Sequence, residues 1–420
     1  AASDVYKRQK LYYLIPCLMM AMITFTGCGD DNNDGPTGGD VLSAEKSKEK
    51  LSEIGQNLIN LVNADDQKQL AQVGNYFSEI VGSLEIQEKA NVQQMVHSLV
   101  AASQGDMAKV YAMAAVNNEM YQASDYYGVY TYNDSKDKWE RTDSDSELAL
   151  KFGCEGQTAE IKIAATGNTT DFTYDGVIVK VPAKLTSTIK LGTTILTSLE
   201  IATANVSSSP RKADITVNID ANGYKVSTSV SATPQVVKAN YSINIKGTEA
   251  VKGEAYLNGS NMTADEGANE NVGDRFKDAR IEANIMGEAA VLMQCSSYKD
   301  LARELEQVDD QYDNATGMWG ESHEAAQATA NVFKKYLSGS LTFGGSNEAS
   351  ATLTFQPYID YSYIDSQGVK HEYWYTEPLL QFEDESLISF EDYFDTASGP
   401  FKSLADSFDA LVRSFEGFIE

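Results

Sequence analysis

Between residues 177 and 257 most positions are β-branched or small, with Thr, Ser, Val and Ile dominating. A stretch of that kind is poor in good helix formers and pairs as strands. Apolar and polar residues alternate, as in Ile215, Val217 and Ile219 against Asp214, Thr216 and Asn218. Each strand therefore offers one apolar and one polar face. Asp175-Gly176, Asn222-Gly223 and Asn258-Gly259 favour the left-handed backbone of tight hairpins. Residues 184–202, 212–231 and 238–257 share length and texture, and each reads as a hairpin within one antiparallel meander. No residue pattern returns at a fixed period, so they are not a true repeat.

An apolar sheet face needs a cover, and helical patterns lie on both sides of the meander. Leu51, Ile54, Leu58, Leu61 and Val62 recur at three- and four-residue spacing, followed by Leu70, Val73, Phe77, Ile80, Val81 and Leu84. Val92, Met95, Val96, Leu99 and Val100 form a third set, and Met107, Val110, Tyr111 and Ala114 a fourth, with Gly82 and Gly105 as breaks. The period changes to two at Tyr126, giving strands over 126–132, 148–152 and 159–163. The acidic residues 263–280 read as a loop, and strands resume over 279–285 and 289–294. Helices are expected over 298–308 and 321–337, the second capped by Ser322 and ended by Gly339. Residues 340–375 form a Tyr-rich β region turning at Asp365-Ser366-Gln367-Gly368. A terminal stripe, Phe401, Leu404, Phe408, Leu411, Phe415 and Phe418, predicts an amphipathic helix that packs on the body. The expected fold is α+β: a curved antiparallel sheet, half-barrel-like, covered by N-terminal and C-terminal helices. Residues 43–124 form its helical region, 125–295 its antiparallel β region, and 296–420 a mixed region closing the same or a second domain.

The N-terminus carries an address. Residues 1–9 resemble a sequencing-adapter translation and are set aside as an artefactual lead. Lys7, Arg8 and Lys10 precede the apolar residues 11–25, a run shorter than the ~20 residues that cross a bilayer as a helix. Residues 10–27 read as a signal peptide. Phe25-Thr26-Gly27-Cys28 resembles a lipobox, with Phe25 where Leu is usual. That resemblance implies removal of the signal and a diacylglyceryl and palmitate-type acyl anchor on Cys28, which holds a protein to the membrane through several chains. Residues 28–42 are polar, Gly-rich and acidic, and read as a flexible tether. An acidic run behind an acylated Cys resembles the export signal of Bacteroidota-type envelope lipoproteins. The resemblance implies an outer-membrane lipoprotein exposed at the cell surface, and it says nothing about the body. Asp30, Asn32, Asp34 and Gly35 imitate half of a calcium loop, but its twelfth position is Val41 rather than a bidentate carboxylate. No metal site is assigned there.

Charge and motif content narrow the chemistry. The chain has 33 Lys+Arg against 61 Asp+Glu, a formal charge of −28, which disfavours nucleic acid as a partner. A nucleophile elbow, a His-Glu-x-x-His zinc motif, a phosphate loop and a dinucleotide fingerprint are all missing from the sequence. His97, His323 and His371 read as helix or surface residues. Carboxylate pairs suited to glycoside hydrolysis have many candidates, Asp309-Asp310, Asp313, Glu372, Glu377, Glu383-Asp384-Glu385 and Glu391-Asp392, and none is singled out. The expectation is a non-enzymatic binding or scaffold module without cofactor. Its alternatives are a lipid-handling half-barrel carrier and a glycan-binding or carboxylate-based glycan-hydrolysing protein, so the ligand is a glycan, a lipid or a protein. Cys17 leaves with the signal and Cys28 is acylated, which leaves Cys154 and Cys295 to pair or to remain as buried thiols. The one concentration above background is aromatic: Tyr358, Tyr361, Tyr363, Tyr373, Trp374 and Tyr375 crowd one hairpin. With strict alternation Tyr358 does not share a face with Tyr361 and Tyr363. The hairpin then offers either a ligand-stacking surface or ordinary cross-strand aromatic pairs.

Overall fold

A computed structural model describes residues 42–80, 127–174, 177–262, 275–316, 322–346, 348–389, 407 and 410. Helix α1 (Ala44–Leu61) leads through a 3-10 turn (Ala64–Gln67) into α2 (Lys68–Ile80). Strands β1 (Gly128–Asn133), β2 (Lys138–Thr142), β3 (Leu148–Cys154), β4 (Gln157–Tyr174), β5 (Val177–Leu191) and β6 (Thr194–Ser208) follow. Then come β7 (Arg211–Ala221), β8 (Tyr224–Ala232), β9 (Val236–Ile245), β10 (Thr248–Gly259), β11 (Phe276–Ile285) and β12 (Ala289–Cys295). Helices α3 (Tyr298–Thr316) and α4 (His323–Tyr336) precede β13 (Leu337–Phe343), β14 (Ala351–Ile364), β15 (Lys370–Phe382) and β16 (Leu387–Ser389).

All of these strands belong to one 16-stranded sheet in the order β16 to β3, then β1, then β2. The sheet is curved and unclosed, as the α+β reading expects. It is an antiparallel meander except where β1 runs parallel to β3, from Gly128 opposite Leu148 to Thr131 opposite Lys151. Among the described residues, the part of the chain from 296 to 389 extends the same sheet through β13 to β16. The three hairpins foreseen in the meander are β5–β6, β7–β8 and β9–β10. Asn222-Gly223 closes β7–β8, and Glu155-Gly156 and Lys246-Gly247 close two more hairpins, each with positive φ at both residues. Asp175-Gly176 lies outside the described residues, between the paired ends Tyr174 and Val177. Asn258-Gly259 is not a hairpin: it lies at an irregularity near the end of β10, where Gly259 pairs with Phe276. A Cβ on Gly259 would collide with the Arg275 carbonyl and the Met262 sulfur, so this glycine serves a close approach rather than a turn. Gly339 likewise does not end α4. The helix stops at Tyr336, and Gly339 lies inside β13, where the Leu353 side chain crowds it.

Register fixes which side chains share the covered face. Across neighbouring strands Ala283, Val291, Leu341, Ala351 and Phe382 stand opposite one another in turn. α1 lays Leu51, Ile54 and Ile59 on this face over β12 to β16, with Leu341, Phe343, Phe382 and Ile388 beneath. Its end, with Leu58, Leu61 and Val62, covers Tyr241, Ile243, Ile245 and Val251. α2 lays Val73, Phe77 and Ile80 over Leu148, Leu150, Phe152, Ile161 and Leu196. The Phe77 ring stacks on Phe152 at 5.6 Å and meets Trp139 edge-on at 6.5 Å.

These two helices form a strap along the rim that carries the tight turns, and polar contacts stitch it there. Lys48 bonds Ser386 at 2.9 Å, and Lys50 pairs with Glu288. The 3-10 turn holds the densest stitch. The Tyr224 hydroxyl donates to Asp66 Oδ2 at 2.8 Å and accepts from the Asn63 N–H at 2.8 Å. Lys246 pairs with Asp66 at 2.5 Å, and Asn222 Nδ2 donates to the Asp66 carbonyl at 2.6 Å. The Lys246 ammonium, helped by the Tyr224 hydroxyl, holds the Asp66 carboxyl below the usual carboxylate range against an opposing effect of burial. Burial above all, with Asp66 adding to it, pushes the Tyr224 phenol up to about 12. A phenol raised in the folded state stabilises the protein fully below its unfolded value near 10, and that contribution disappears as pH climbs from there through 12. Tyr224→Phe should therefore lower the melting temperature by a few degrees at pH 7 through loss of the bonds to Asp66 and Asn63. The difference from the parent should shrink between pH 10 and 12, as thermal melts at stepped pH will show.

Candidate functional site

The aromatic hairpin leaves the sheet. β14 pairs with β13 only at Ser340–Thr352 and Leu341–Ala351, and β15 pairs with β16 only through Leu379, Leu380 and Gln381. Beyond those points β14 and β15 pair with each other as a two-stranded ribbon up to Ile364 opposite Lys370. Isolated ribbons are weak, and α4 props this one from the covered side. Ser322 caps α4 by accepting from the Ala325 N–H at 3.1 Å, as its sequence position predicts. Phe333 packs on Phe355 at 5.1 Å, Thr376 Oγ1 donates to the Ala326 carbonyl at 2.8 Å, and His323 meets Trp374 edge-on at 4.6 Å. Each strand of the ribbon carries a proline, Pro357 and Pro378, a residue that tolerates only open edges and denies a further strand its donor.

A β-bulge changes which aromatics share a face. The register runs Tyr358–Tyr375, then Ile359–Trp374, then slips so that Tyr361 faces Tyr373 and Tyr363 faces His371. The extra residue, Asp360, breaks strict alternation. Tyr358, Tyr361 and Tyr363 therefore share the outer face with Tyr375, Tyr373 and His371, and the expectation of two separate faces on β14 is corrected. Trp374 lies on the other face, against α4. For Tyr361 only the backbone is described. The rings meet one another across the strands: Tyr358 and Tyr375 at 5.4 Å and 67°, Tyr363 and His371 at 4.8 Å and 15°, Tyr363 and Tyr373 at 6.3 Å and 20°. Tyr358 is 48% exposed, and Tyr363, Tyr373 and Tyr375 are half-buried. Four of the six most exposed large apolar residues among those described lie on this ribbon: Tyr358, Ile359, Ile364 and Val369.

The apex turns where the sequence places it, and Asp365 organises it. Its Oδ1 accepts from the Gln367 and Val369 N–H groups, each at 2.8 Å, and its Oδ2 lies 2.9 Å from His371 Nε2. The His371 imidazole foremost, then these N–H groups, lowers the Asp365 carboxyl below its ordinary value. Lys370 does the same for Glu372, from 2.5 Å, with the Trp374 indole assisting. Gly368, at φ 81°, supplies the left-handed step.

The other sequence candidates do not converge here. Cys154 and Cys295 are free and buried, in separate apolar clusters on β3 and β12, with eight strands between them, so they form no disulfide. Burial raises both thiols, which is the opposite of an activated thiolate. Asp309 and Asp310 are exposed on α3, and Glu383, Asp384 and Glu385 are exposed in the β15–β16 turn. Glu377 is buried on β15. The Asp313 side chain, Glu391-Asp392, His97, Cys17 and Cys28 lie outside the described residues, as does the stripe from Phe401 to Phe418. Among the described residues no group of three or more His, Cys, Asp or Glu is placed to hold a metal ion, and no helix is long and apolar enough to cross a membrane. Sequence reasoning also missed a second feature. On the covered face, Ile201, Ile215, Val217, Val230, Val237 and Leu257 are half-buried and belong to none of the helix-packed clusters. Its signal was the length of the alternating strands, which exceeds what the helix strap alone covers. Comparisons with protein-family models, with curated proteins and with solved structures return no match.

Because Asp365 links the apex backbone to His371, its side chain should set the order of the turn. In Asp365→Ala the Gln367 and Val369 amides should exchange with deuterium several-fold faster, while those of β12 and β13 stay unchanged. Equal exchange at the apex would show that the turn holds without the carboxylate.

Proposed function

We propose that the chain is a lipid-anchored envelope lipoprotein of the outer membrane, exposed at the cell surface, whose folded body is a non-enzymatic binding or scaffold module. The observation that carries the anchor is Phe25-Thr26-Gly27-Cys28 behind a basic and apolar lead, followed by a polar, Gly-rich stretch that leads toward α1. A thiol placed between a short apolar run and a long polar one is where acyl chains serve best, since two or more of them anchor a soluble body stably. Support for binding rather than catalysis comes from the carboxylates. Glu372 is occupied by Lys370 and Asp365 by its own turn, and Asp309, Asp310 and Glu383 to Glu385 stand exposed rather than facing one another. Cys28→Ser should yield a chain that takes up no fatty-acid label and fractionates as soluble. Metabolic labelling with an alkyne palmitate, together with protease shaving of intact cells, measures both points, and membrane retention of the unlabelled variant would refute the anchor.

The half-buried aliphatic stretch over β6 to β10 favours a second reading, a half-barrel that carries an apolar ligand. On that reading, solvent extraction of the purified Cys28→Ser chain recovers lipid in stoichiometric amount. A lipid-free extract removes this reading and leaves the first intact.

A further inference from the structure

We propose that the outer face of the β14–β15 ribbon is a carbohydrate-binding strip that takes a neutral oligosaccharide lying along it. The inference rests on the binding-module reading and adds to it the ligand class and the residues that meet it.

The bulge is the first ground. One inserted residue, Asp360, aligns positions 358, 361 and 363 with 375, 373 and 371, where regular alternation would have split them between faces. Bulges commonly re-aim side chains at functional sites. The second ground is residue choice. If the outer face served packing alone, Phe or Val would serve as well, and the rings would be buried. All five aromatic positions besides His371 are instead Tyr, and Tyr358 is 48% exposed. Tyrosine combines an apolar ring with a polar edge, which suits a ligand that is itself apolar on its C–H faces and polar at its rim.

Ring geometry then divides the work. Tyr363 is flanked by His371 and Tyr373 in near-parallel stacks, so this part of the strip turns ring edges rather than ring faces outward. Tyr358 meets Tyr375 edge-on and is the most exposed of the described rings, which makes it the stacking position. From 375 to 371 on the unbulged strand the strip runs four steps, about 14 Å at ~3.4 Å per residue, a length suited to two or three linked sugars rather than one. Charge selects among glycans. A chain of net charge −28 repels polyanions, and around the apex Lys370 pairs with Glu372 while the Asp365 carboxylate is taken up by its own turn and by His371. A peptide strand added to the ribbon edge is disfavoured by Pro357 and Pro378.

The test is affinity electrophoresis of the full acylated chain in detergent, through native gels containing soluble starch, mannan, glucomannan or arabinoxylan, with dextran sulfate as the polyanion. At least one neutral polymer should retard the chain. Tyr358→Ala should weaken that retardation about tenfold, and Tyr358→Phe should keep most of it. Deleting Asp360 should abolish it in a protein that still melts cooperatively; if the deletion unfolds the chain, the Tyr358→Ala arm decides. Retardation should survive Cys28→Ser, so failure of the anchor and failure of the strip are read separately. Migration unaffected by all four neutral polymers, an unaltered Tyr358→Ala, or retardation by dextran sulfate alone would overturn the proposal. So would a photo-crosslinker at position 358 that captures a protein while the four polymers have no effect, an outcome that assigns the face to a protein partner.

Discussion

One requirement governs this molecule: a sheet of sixteen strands has a single apolar face to hide, and the sheet does not close on itself to hide it. A barrel buries its interior by closure, whereas an open sheet must recruit helices. The recruit here is a strap of two helices lying along one rim, with a second helical pair over the other end of β11 to β15. Because the strap crosses most of the sheet, its middle needs a polar stitch as well as apolar packing. The Asp66, Tyr224 and Lys246 cluster supplies that stitch at the point where α1 gives way to α2. The described strands form one sheet, and the strap packs along it.

The covered face also explains choices inside the strands. Gly253 lies opposite Tyr241, whose ring occupies the space a Cβ would need. The glycine costs strand propensity, and the tyrosine offsets this by burying its ring across the gap. At the outermost edge β2 is short and charged, with Lys138, Glu140 and Arg141, which discourages pairing with a second molecule. On the polar face, serine hydroxyls donate across strands to amide and carboxylate oxygens, as in Ser227 to Asn218 at 2.6 Å and Ser231 to Asp214 at 2.6 Å. The Ser- and Thr-rich texture that made this region recognisable is therefore a ladder of side-chain hydrogen bonds as well as a propensity.

Legibility in the sequence followed the range of the interaction involved. Hairpins β5–β6, β7–β8 and β9–β10 were readable because alternation lies within a few residues, and for β7–β8 the turn chemistry of Asn222-Gly223 does too. The cap at Ser322 and the apex at Asp365 to Gly368 were readable for the same reason. What escaped depends on partners far along the chain. Insertion of β1 between β2 and β3 is decided by α2 and the aromatic cluster around Phe152, not by any local signal. Gly339 resembles a helix stop until Leu353, on the next strand, is seen to crowd it. The bulge at Asp360 is the instructive case, since alternation is a reliable guide only while register is unbroken. One inserted residue turned an apparently two-faced aromatic strand into a one-faced strip.

The positions of Leu42 and of the ribbon apex bear on how such a body would work if held at Cys28. Leu42 and Ala44 pack near Phe382 and Ile388, beside the turn that joins β15 to β16. The apex lies at the other end of β15, twelve residues away at ~3.4 Å each, or about 40 Å. A chain held through its N-terminal side would thus present the aromatic ribbon from the far end of the sheet. The curvature, the strap and the α4 prop all serve to stiffen the path between those ends. A ribbon with open edges gains rigidity only from what supports it beneath and from its own cross-strand rings. The stacked tyrosines therefore have a mechanical part whatever they bind: they allow a two-stranded element to keep its shape at the distance where it meets its surroundings.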